Sequence, residues 1–317
     1  MMTPFRAGSL YFMTPDIDGL ETIADFVRWG ASRLRAAGVA CGHGSRDAVD
    51  EALQLVAHPL HLELPLPAEF YGARLTAAER GAVRDLIHRR VTTRCPTAYL
   101  TGRAWFAGLC FEVDERVLVP RSPIAELIEE GFSPWIDPAR LSRVLDLCTG
   151  SACIAIATAA HLPGAEVDAT DVSPEALEVA ANNVRRHGLE DRVRLIHSDV
   201  FDGLGGERYD LIVSNPPYVP RAEFESLPAE FGHEPALGLV AGDDGLDIVR
   251  RLLTQAADHL QPDGLLIVEV GSAAEAVLAE WPELPFAWPE FARGGDGVFV
   301  LNAADLPGAG PAAGHQT

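Results

Sequence analysis

The sequence predicts a doubly wound α/β domain behind a small helical unit, and three observations lead there. After about Leu141, short apolar runs alternate with runs of helical length, the pattern of a mostly parallel sheet with helices on both faces. The first apolar run ends in a turn of small residues, Cys148-Thr149-Gly150-Ser151-Ala152, that opens a helix. The first hundred residues instead repeat their apolar positions at helical spacing alone.

The strand candidates are residues 143–147, 166–170, 193–197, 211–214, 265–270 and 298–301, and the helix candidates are 153–161, 174–187, 246–260 and 273–281. Upstream, Leu20, Ile23, Val27 and Leu34 share one helical face, and Val49, Leu53, Val56 and Leu60 share another behind a cap at Ser45. Thr76 and Glu79 form a capping box ahead of Val83, Leu86 and Ile87. Pro59, Pro65 and Pro67 break the helices between these runs. Residues 1–100 thus read as a helical bundle with no chemical motif of its own, the kind of unit that binds a partner or covers a site. Residues 105–107 and 110–113 flank Gly108 as a hairpin within a linker over 101–120, and Pro120 to Pro123 turn the chain into a helix carrying Ile124, Leu127 and Ile128. The main domain spans 121–305. The segment 306–317, rich in Gly, Ala and Pro, is expected to be disordered. No internal repeat is present.

Composition narrows the function. The chain has 317 residues, 48% of them hydrophobic, and no apolar run long enough to span a membrane. Residues 1–20 contain Asp16 and Asp18 and lack a basic segment followed by an apolar one, so no secretory signal is expected and the protein is read as cytoplasmic. The five cysteines lack metal-like spacing and are read as free thiols. The formal charge is −21, and all 25 cationic side chains are arginine. Such a surface repels nucleic acid unless a local patch overrides it, and attracts a basic partner. It equally serves solubility.

The turn after the first strand is a weak signal alone, since many nucleotide binders share it. The strand ends strengthen it. Asp146 lies in the first strand, the second ends at Asp171, and the third ends in Ser198-Asp199-Val200-Phe201. A carboxylate at Asp171 can accept from both ribose hydroxyls of an adenosine, and it can also serve the next helix start at Ser173-Pro174. Asp199 can accept from an adenine amino group, with Val200 or Phe201 over the ring. Without lysine no Gly-Lys-Ser triphosphate loop exists, and acidic walls suit a cofactor with a positive sulfonium better than one with a pyrophosphate.

The fourth strand leads into Asn215-Pro216-Pro217-Tyr218. Two prolines fix the backbone and remove two donors. The Asn215 side-chain oxygen and the Pro216 carbonyl can then face outward together, matching the two hydrogens of a planar NH2 group. Engaging both frees the nitrogen lone pair for attack, and Tyr218 offers an aromatic face to a planar target. The bland alternative is a turn with an Asx cap.

Here the chain resembles the protein-glutamine N5-methyltransferases. The resemblance rests on Asn-Pro-Pro-Tyr, on Tyr99-Leu100-Thr101-Gly102, on Trp105-Phe106-Ala107-Gly108, and on the segment from Val113 to Ile124 with its Val119-Pro120-Arg121-Ser122-Pro123. It extends to His233-Glu234-Pro235 and Gly242-Asp243-Asp244-Gly245-Leu246. Two branches are close, one acting on peptide release factors and one, the PrmB type, on large-subunit ribosomal protein L-three; the Ala-Trp-Phe-Ala-Gly and Val-Pro-Arg-Ser-Pro-Ile stretches resemble the second. The resemblance implies a seven-stranded, Rossmann-like class I methyltransferase fold and S-adenosylmethionine as cofactor. It implies a basic ribosomal-protein substrate, within an assembling large subunit or outside it. It implies cofactor contacts from Asp146, Cys148, Thr149, Gly150, Ser151, Ala152, Asp171, Asp199, Val200 and Asn215, and catalytic roles for Asn215, Pro216, Pro217 and Tyr218. No metal is implied. The family usually carries a second glycine where this chain has Ala152, which would crowd the cofactor's amino-acid end or shift the helix start. His233 and Glu234 are expected to shape a lid, with a base role as the alternative. The rivals are the release-factor branch, an adenine-amino methyltransferase and a non-catalytic ribosome assembly factor. The adenine reading needs a basic groove, and only Arg89-Arg90 and Arg185-Arg186 are candidates.

Overall fold

The computed structural model describes residues 17–308, which fall into two compact units divided after Thr101. In the first, α1 (Ile23–Ala36), α2 (Ala48–Ala57), α3 (Ala77–Thr93) and α4 (Thr97–Thr101) gather around a core of Phe26, Leu34, Leu55, Val56, Val83 and Ile87. The Thr76–Glu79 capping box forms: Thr76 Oγ1 accepts from the Glu79 amide and the Glu79 carboxylate accepts from the Thr76 amide. The cap of α2 is Asp47, not Ser45. Asp47 Oδ1 reaches the Val49 and Asp50 amides at 2.7 and 3.0 Å, whereas Ser45 Oγ accepts from Gln54. A carboxylate also opposes the helix dipole, which a hydroxyl does not. A buried ion pair clasps the unit. Arg90 donates to Glu51 at 2.5 Å and to the Ala40 carbonyl at 3.0 Å, and Thr97 donates to Glu51 at 2.7 Å.

The second unit opens with the hairpin of β1 (Arg103–Phe106) and β2 (Leu109–Glu112), followed by α5 (Ile124–Glu129). The sheet and its helices then run β3 (Arg143–Leu147), α6 (Cys153–His161), β4 (Glu166–Asp171), α7 (Pro174–Arg186), β5 (Val193–His197), β6 (Tyr209–Ser214), the short α8 (Arg221–Phe224), α9 (Asp247–His259), β7 (Leu260–Glu269), α10 (Ala274–Glu280) and β8 (Val298–Asn302). Strand order is β5-β4-β3-β6-β7-β8, with only β8 antiparallel. The central strands are buried on both faces, which is why they read as continuous apolar runs. Helix α6 is apolar all round because Cys153 through Ala159 are all buried.

Among the described residues the sheet has six strands, not the seven the resemblance implies. Beyond β8, Ala287 exchanges both backbone hydrogen bonds with Val300, at 3.1 and 2.8 Å, and the pairing stops there. Pro285 and Pro289 flank this bridge and lack the donors that would extend it. Leu306, at the start of the segment expected to be disordered, is buried in the core, while residues 309–317 lie outside the described residues.

Replacing Glu51 with Ala leaves the Arg90 guanidinium buried without its counter-ion, a change expected to destabilise the first unit by about 3–5 kcal/mol. Hydrogen exchange of the α1–α3 amides should then accelerate; unchanged protection would mean that the pair contributes nothing net.

Candidate active site

Parallel register brings the strand ends to one edge. Leu147 of β3 lies opposite Thr170 of β4 on one side and Ser214 of β6 on the other, and Asp171 of β4 lies opposite His197 of β5. The Ser214 hydroxyl donates to the Leu147 carbonyl at 2.8 Å and locks that register. The residues that follow these strands wall a cavity of about 380 Å³. It lies where strand order reverses around β3, the position at which sheets of this kind bind ligands.

Cys148, Thr149, Gly150 and Ser151 line the cavity from the β3 side. The loop is sharply bent: Cys148, Gly150 and Ala152 have φ of +60°, +55° and +62°. For Cys148 and Ala152 this conformation costs about 1–2 kcal/mol each. Asp146 and Ala152 stand behind the loop, off the cavity wall and fully buried. The Ala152 methyl therefore does not crowd the cavity, and the left-handed backbone accounts for the usual glycine at that position. Asp146 accepts from Thr149 Oγ1 at 2.5 Å and from the Ala155 amide at 3.1 Å, pinning the loop to the start of α6.

Asp171 lines the cavity. Its two oxygens accept from the Gly150 and Ser173 amides, each at 2.9 Å. The cap of α7 is Ser173, whose hydroxyl accepts from the Ala176 amide at 3.1 Å. Burial pushes the Asp171 carboxyl above its ordinary range, against the opposing effect of these amides. Asp199 also lines the cavity, with Oδ1 held by Arg251 of α9 at 2.6 Å. Val200 follows at φ +54°, an outlier for a β-branched residue, kept there by Ser198, which donates to the Val200 carbonyl at 2.7 Å.

Asn215 and Pro217 face the cavity, whereas Pro216 and Tyr218 do not line it. The edge of the Tyr218 ring lies against Gly271, where a Cβ would approach the ring carbons to 2.7 Å, and its hydroxyl donates to Glu269 at 3.2 Å. Tyr218 thus braces the turn from behind instead of lining the cavity as a stacking face. The turn is held on other sides too. Val219 pairs with Leu239 and Ala241 at 2.8 and 3.1 Å, and Gly245 passes so close to the Tyr218 carbonyl that any side chain would collide with it. The far wall comes from Val117–Ser122 and from Pro235, Leu237 and Gly238. These two segments are joined by Glu234, which accepts from the Val119 amide at 3.0 Å and pairs with Arg121 at 2.6 and 2.8 Å. Among the described residues no cluster of side chains could hold a metal ion, all five cysteines are free, and no helix is long and apolar enough to cross a membrane.

Residues 134–230 match the family model of the methyltransferase small domain. The ribosomal protein uL3 glutamine methyltransferase of Xanthomonas campestris pv. campestris is 52% identical over 290 residues, 91% of this chain and 94% of that protein. Its counterpart in Bordetella pertussis is 50% identical over 288 residues, 90% of this chain and 97% of that protein. The chain belongs to the ribosomal protein uL3 glutamine methyltransferase family. The hMettl16 catalytic domain, solved in complex with the MAT2A 3'UTR hairpin 6, shares the fold at a TM-score of 0.50 and 20% identity, over 71% of this chain and 84% of that one.

In this glutamine methyltransferase family member, several supports of the site were missed from sequence. Glu269 stands as an acidic residue directly after the apolar run Leu265–Val268, which is the signal that marks it. Asn183 is fully buried in α7; it exchanges hydrogen bonds with the Glu112 backbone at 2.7 and 2.9 Å and donates to the Ser151 carbonyl at 3.0 Å, tying hairpin to loop. Nothing in the local pattern of α7 distinguishes it.

Burial, with Asp171 adding repulsion, pushes the Asp146 carboxyl from 3.8 to about 7, although the bonds from Thr149 and Ala155 favour its ionised form. The folded state then holds a proton that the unfolded state releases, so this contribution is full below about pH 4 and is lost as pH rises through about 7. Thermal unfolding should show a fall in Tm between about pH 4 and pH 7 that is shallower in D146N. Parallel slopes would show that Asp146 ionises at its ordinary value.

Proposed function

We propose that this protein transfers the methyl group of S-adenosylmethionine to the side-chain amide nitrogen of a glutamine in ribosomal protein uL3. The placement of Asn215 carries the reading: it lines the cavity beside Pro217, and among the described residues its side-chain amide makes no hydrogen bond. Its oxygen is left for a ligand.

The cavity fits the cofactor. Its volume is within the usual range for a small-molecule site. Asp171 offers a buried carboxylate to the ribose hydroxyls, the Cys148–Ser151 backbone curves around one end, and Asp199 with Val200 borders the other. The wall carries Asp171 and Asp199 but also Arg116, Arg121 and Arg251, each paired with a carboxylate, so its charge alone does not select the cofactor. When bound, S-adenosylmethionine supplies an electrophilic methyl on a positively charged sulfur.

The protein's own work is then positional. Asn215 Oδ1 accepts from the target amide and turns its nitrogen toward the methyl, while Pro216, which does not line the cavity, and Pro217 fix the backbone that presents it. An amide nitrogen is a poor nucleophile, so alignment has to supply much of the acceleration, of the order of 7–11 kcal/mol. The same oxygen stabilises the positive charge that develops on nitrogen. The released proton passes to solvent, and no dedicated base is needed. Glu234 is held by Arg121 and the Val119 amide, which supports a structural role for it. Pro235, Leu237 and Pro217 give the cavity apolar walls.

Charge supports a basic protein substrate. Residues 1–101 contain 11 arginines and 11 carboxylates, whereas residues 102–317 contain 14 and 35, so the whole excess lies in the catalytic unit. Of the four arginines that could have formed a nucleic-acid groove, three are already committed: Arg90 to Glu51, Arg186 to Glu112 and Arg185 to Asn182. The helical first unit is assigned to substrate binding, and a ribosomal-protein substrate puts the reaction in the cytoplasm.

With tritiated cofactor and purified uL3, the protein should label one glutamine, and N215A should lower kcat by about 100-fold or more. Calorimetry should find cofactor affinity within about twofold of wild type. Equal loss of turnover and affinity would mean that Asn215 holds the cofactor instead. Raising salt from about 50 to about 300 mM should raise KM for uL3 several-fold with kcat unchanged, because the attraction is screened. A salt-independent KM would remove charge from the recognition.

A further inference from the structure

Glu269 is the last residue of β7 and is buried within the protein. One carboxyl oxygen accepts from the Tyr218 hydroxyl at 3.2 Å and the other from the Ser122 hydroxyl at 2.5 Å. These two partners belong to segments that are far apart in sequence and meet at the cavity. Tyr218 ends the Asn215–Tyr218 turn, and Ser122 lines the cavity in the segment that follows the hairpin. Ser122 also accepts from the Ile124 amide at 3.1 Å, so its hydroxyl is oriented at the start of α5. Behind Tyr218 the backbone is tight. A Cβ on Gly271 would meet the Tyr218 ring, and a Cβ on Gly297 would collide with the Gly271 backbone.

A buried carboxylate is expensive unless its oxygens are paired, so its presence directly after the buried apolar run Leu265–Val268 calls for a reason. Glu269 does not touch the cavity, which rules it out as a group that contacts substrate. Its reach is confined to the two segments that place Asn215 and Ser122. We propose that Glu269 is a positioning residue for methyl transfer, which through Tyr218 and Ser122 sets the distance between the Asn215 turn and the Pro120–Pro123 segment, and so the pose of the target amide. The proposal rests on the methyl-transfer reading given above.

Positioning residues of this kind act on the reactive pose and leave affinity alone, because small misplacements lower the rate steeply. E269Q keeps the shape and one acceptor oxygen but puts an NH2 donor against a hydroxyl. In the labelling assay with uL3, kcat should fall at least about 10-fold, with KM and calorimetric cofactor affinity within about threefold of wild type. Y218F should lower kcat as well, and the double variant should fall little further than E269Q alone, because both changes remove the same bond. An E269Q kcat equal to wild type, or additive losses in the double variant, would overturn the proposal. If E269Q does not fold, the same cycle is run with E269D, which keeps the charge and shortens the reach; full activity in E269D would likewise overturn it. A wild-type protein that labels no glutamine would instead defeat the methyl-transfer reading itself.

Discussion

A slip of one residue between β3 and β6 would turn Asn215 away from the cavity and bury its amide in the protein. Side chains alternate faces along a strand, so register decides which atoms reach the site. Here register is fixed by apolar content and by one side-chain bond. Leu145, Leu147, Ile212 and Val213 must be buried, and the Ser214 hydroxyl closes the ladder on the Leu147 carbonyl. Everything beyond the strand ends depends on that alignment. The Cys148–Ala152 loop, Asp171 and the Asn215 turn emerge side by side because their strands do.

The loops that emerge have no ladder of their own, and buried carboxylates replace it. Asp146 holds the first loop to α6, Glu234 joins the Val119–Arg121 segment to the turn that presents Leu237, and Glu269 joins Tyr218 to Ser122. A carboxylate can accept from two or more donors on different segments, which a single backbone carbonyl rarely does across such distances. In the interior an unmet acceptor is costly, so each of these groups confines its partners to a narrow set of positions. Strain in the loop backbone, as at Cys148 and Val200, is tolerated because surrounding bonds over-determine it.

Much of this was legible before any coordinates. Arg143–Leu147 and Cys153–His161 fall where the apolar pattern puts them, because a buried parallel strand and a buried helix leave strong apolar signatures, and Val193–His197 matches as well although this edge strand buries only Val193. The start of β7 at Leu260 was not legible: Pro262 and Gly264 read as a break, and only the pairing of Leu260 with Tyr209 carries the strand across them. The seventh strand was expected from resemblance, yet prolines on both sides of Ala287 reduce it to a bridge. The sequence singles out Asn215, Pro217 and Asp171 by their chemistry at strand ends, and all three line the cavity. The turn of Tyr218 toward Glu269 was not legible, since an aromatic beside a reactive turn reads equally as wall or brace. Long-range partners are set by topology, and local pattern does not encode them.

The two units also divide the electrostatics. The catalytic unit carries the full negative excess, yet of its cavity carboxylates Asp199 is neutralised by Arg251 and Asp171 is clamped by backbone amides. The field in the cavity is therefore set by a few fixed groups, while the many exposed carboxylates act at longer range on whatever approaches. Under the proposed function, a basic protein is drawn to this unit without any need for a continuous charged groove, and selection of one glutamine falls to the short contacts at the Asn215 turn. Separating attraction from selection in this way lets the surface vary freely while the register of β3 on β6, and the carboxylates that extend it into the loops, cannot.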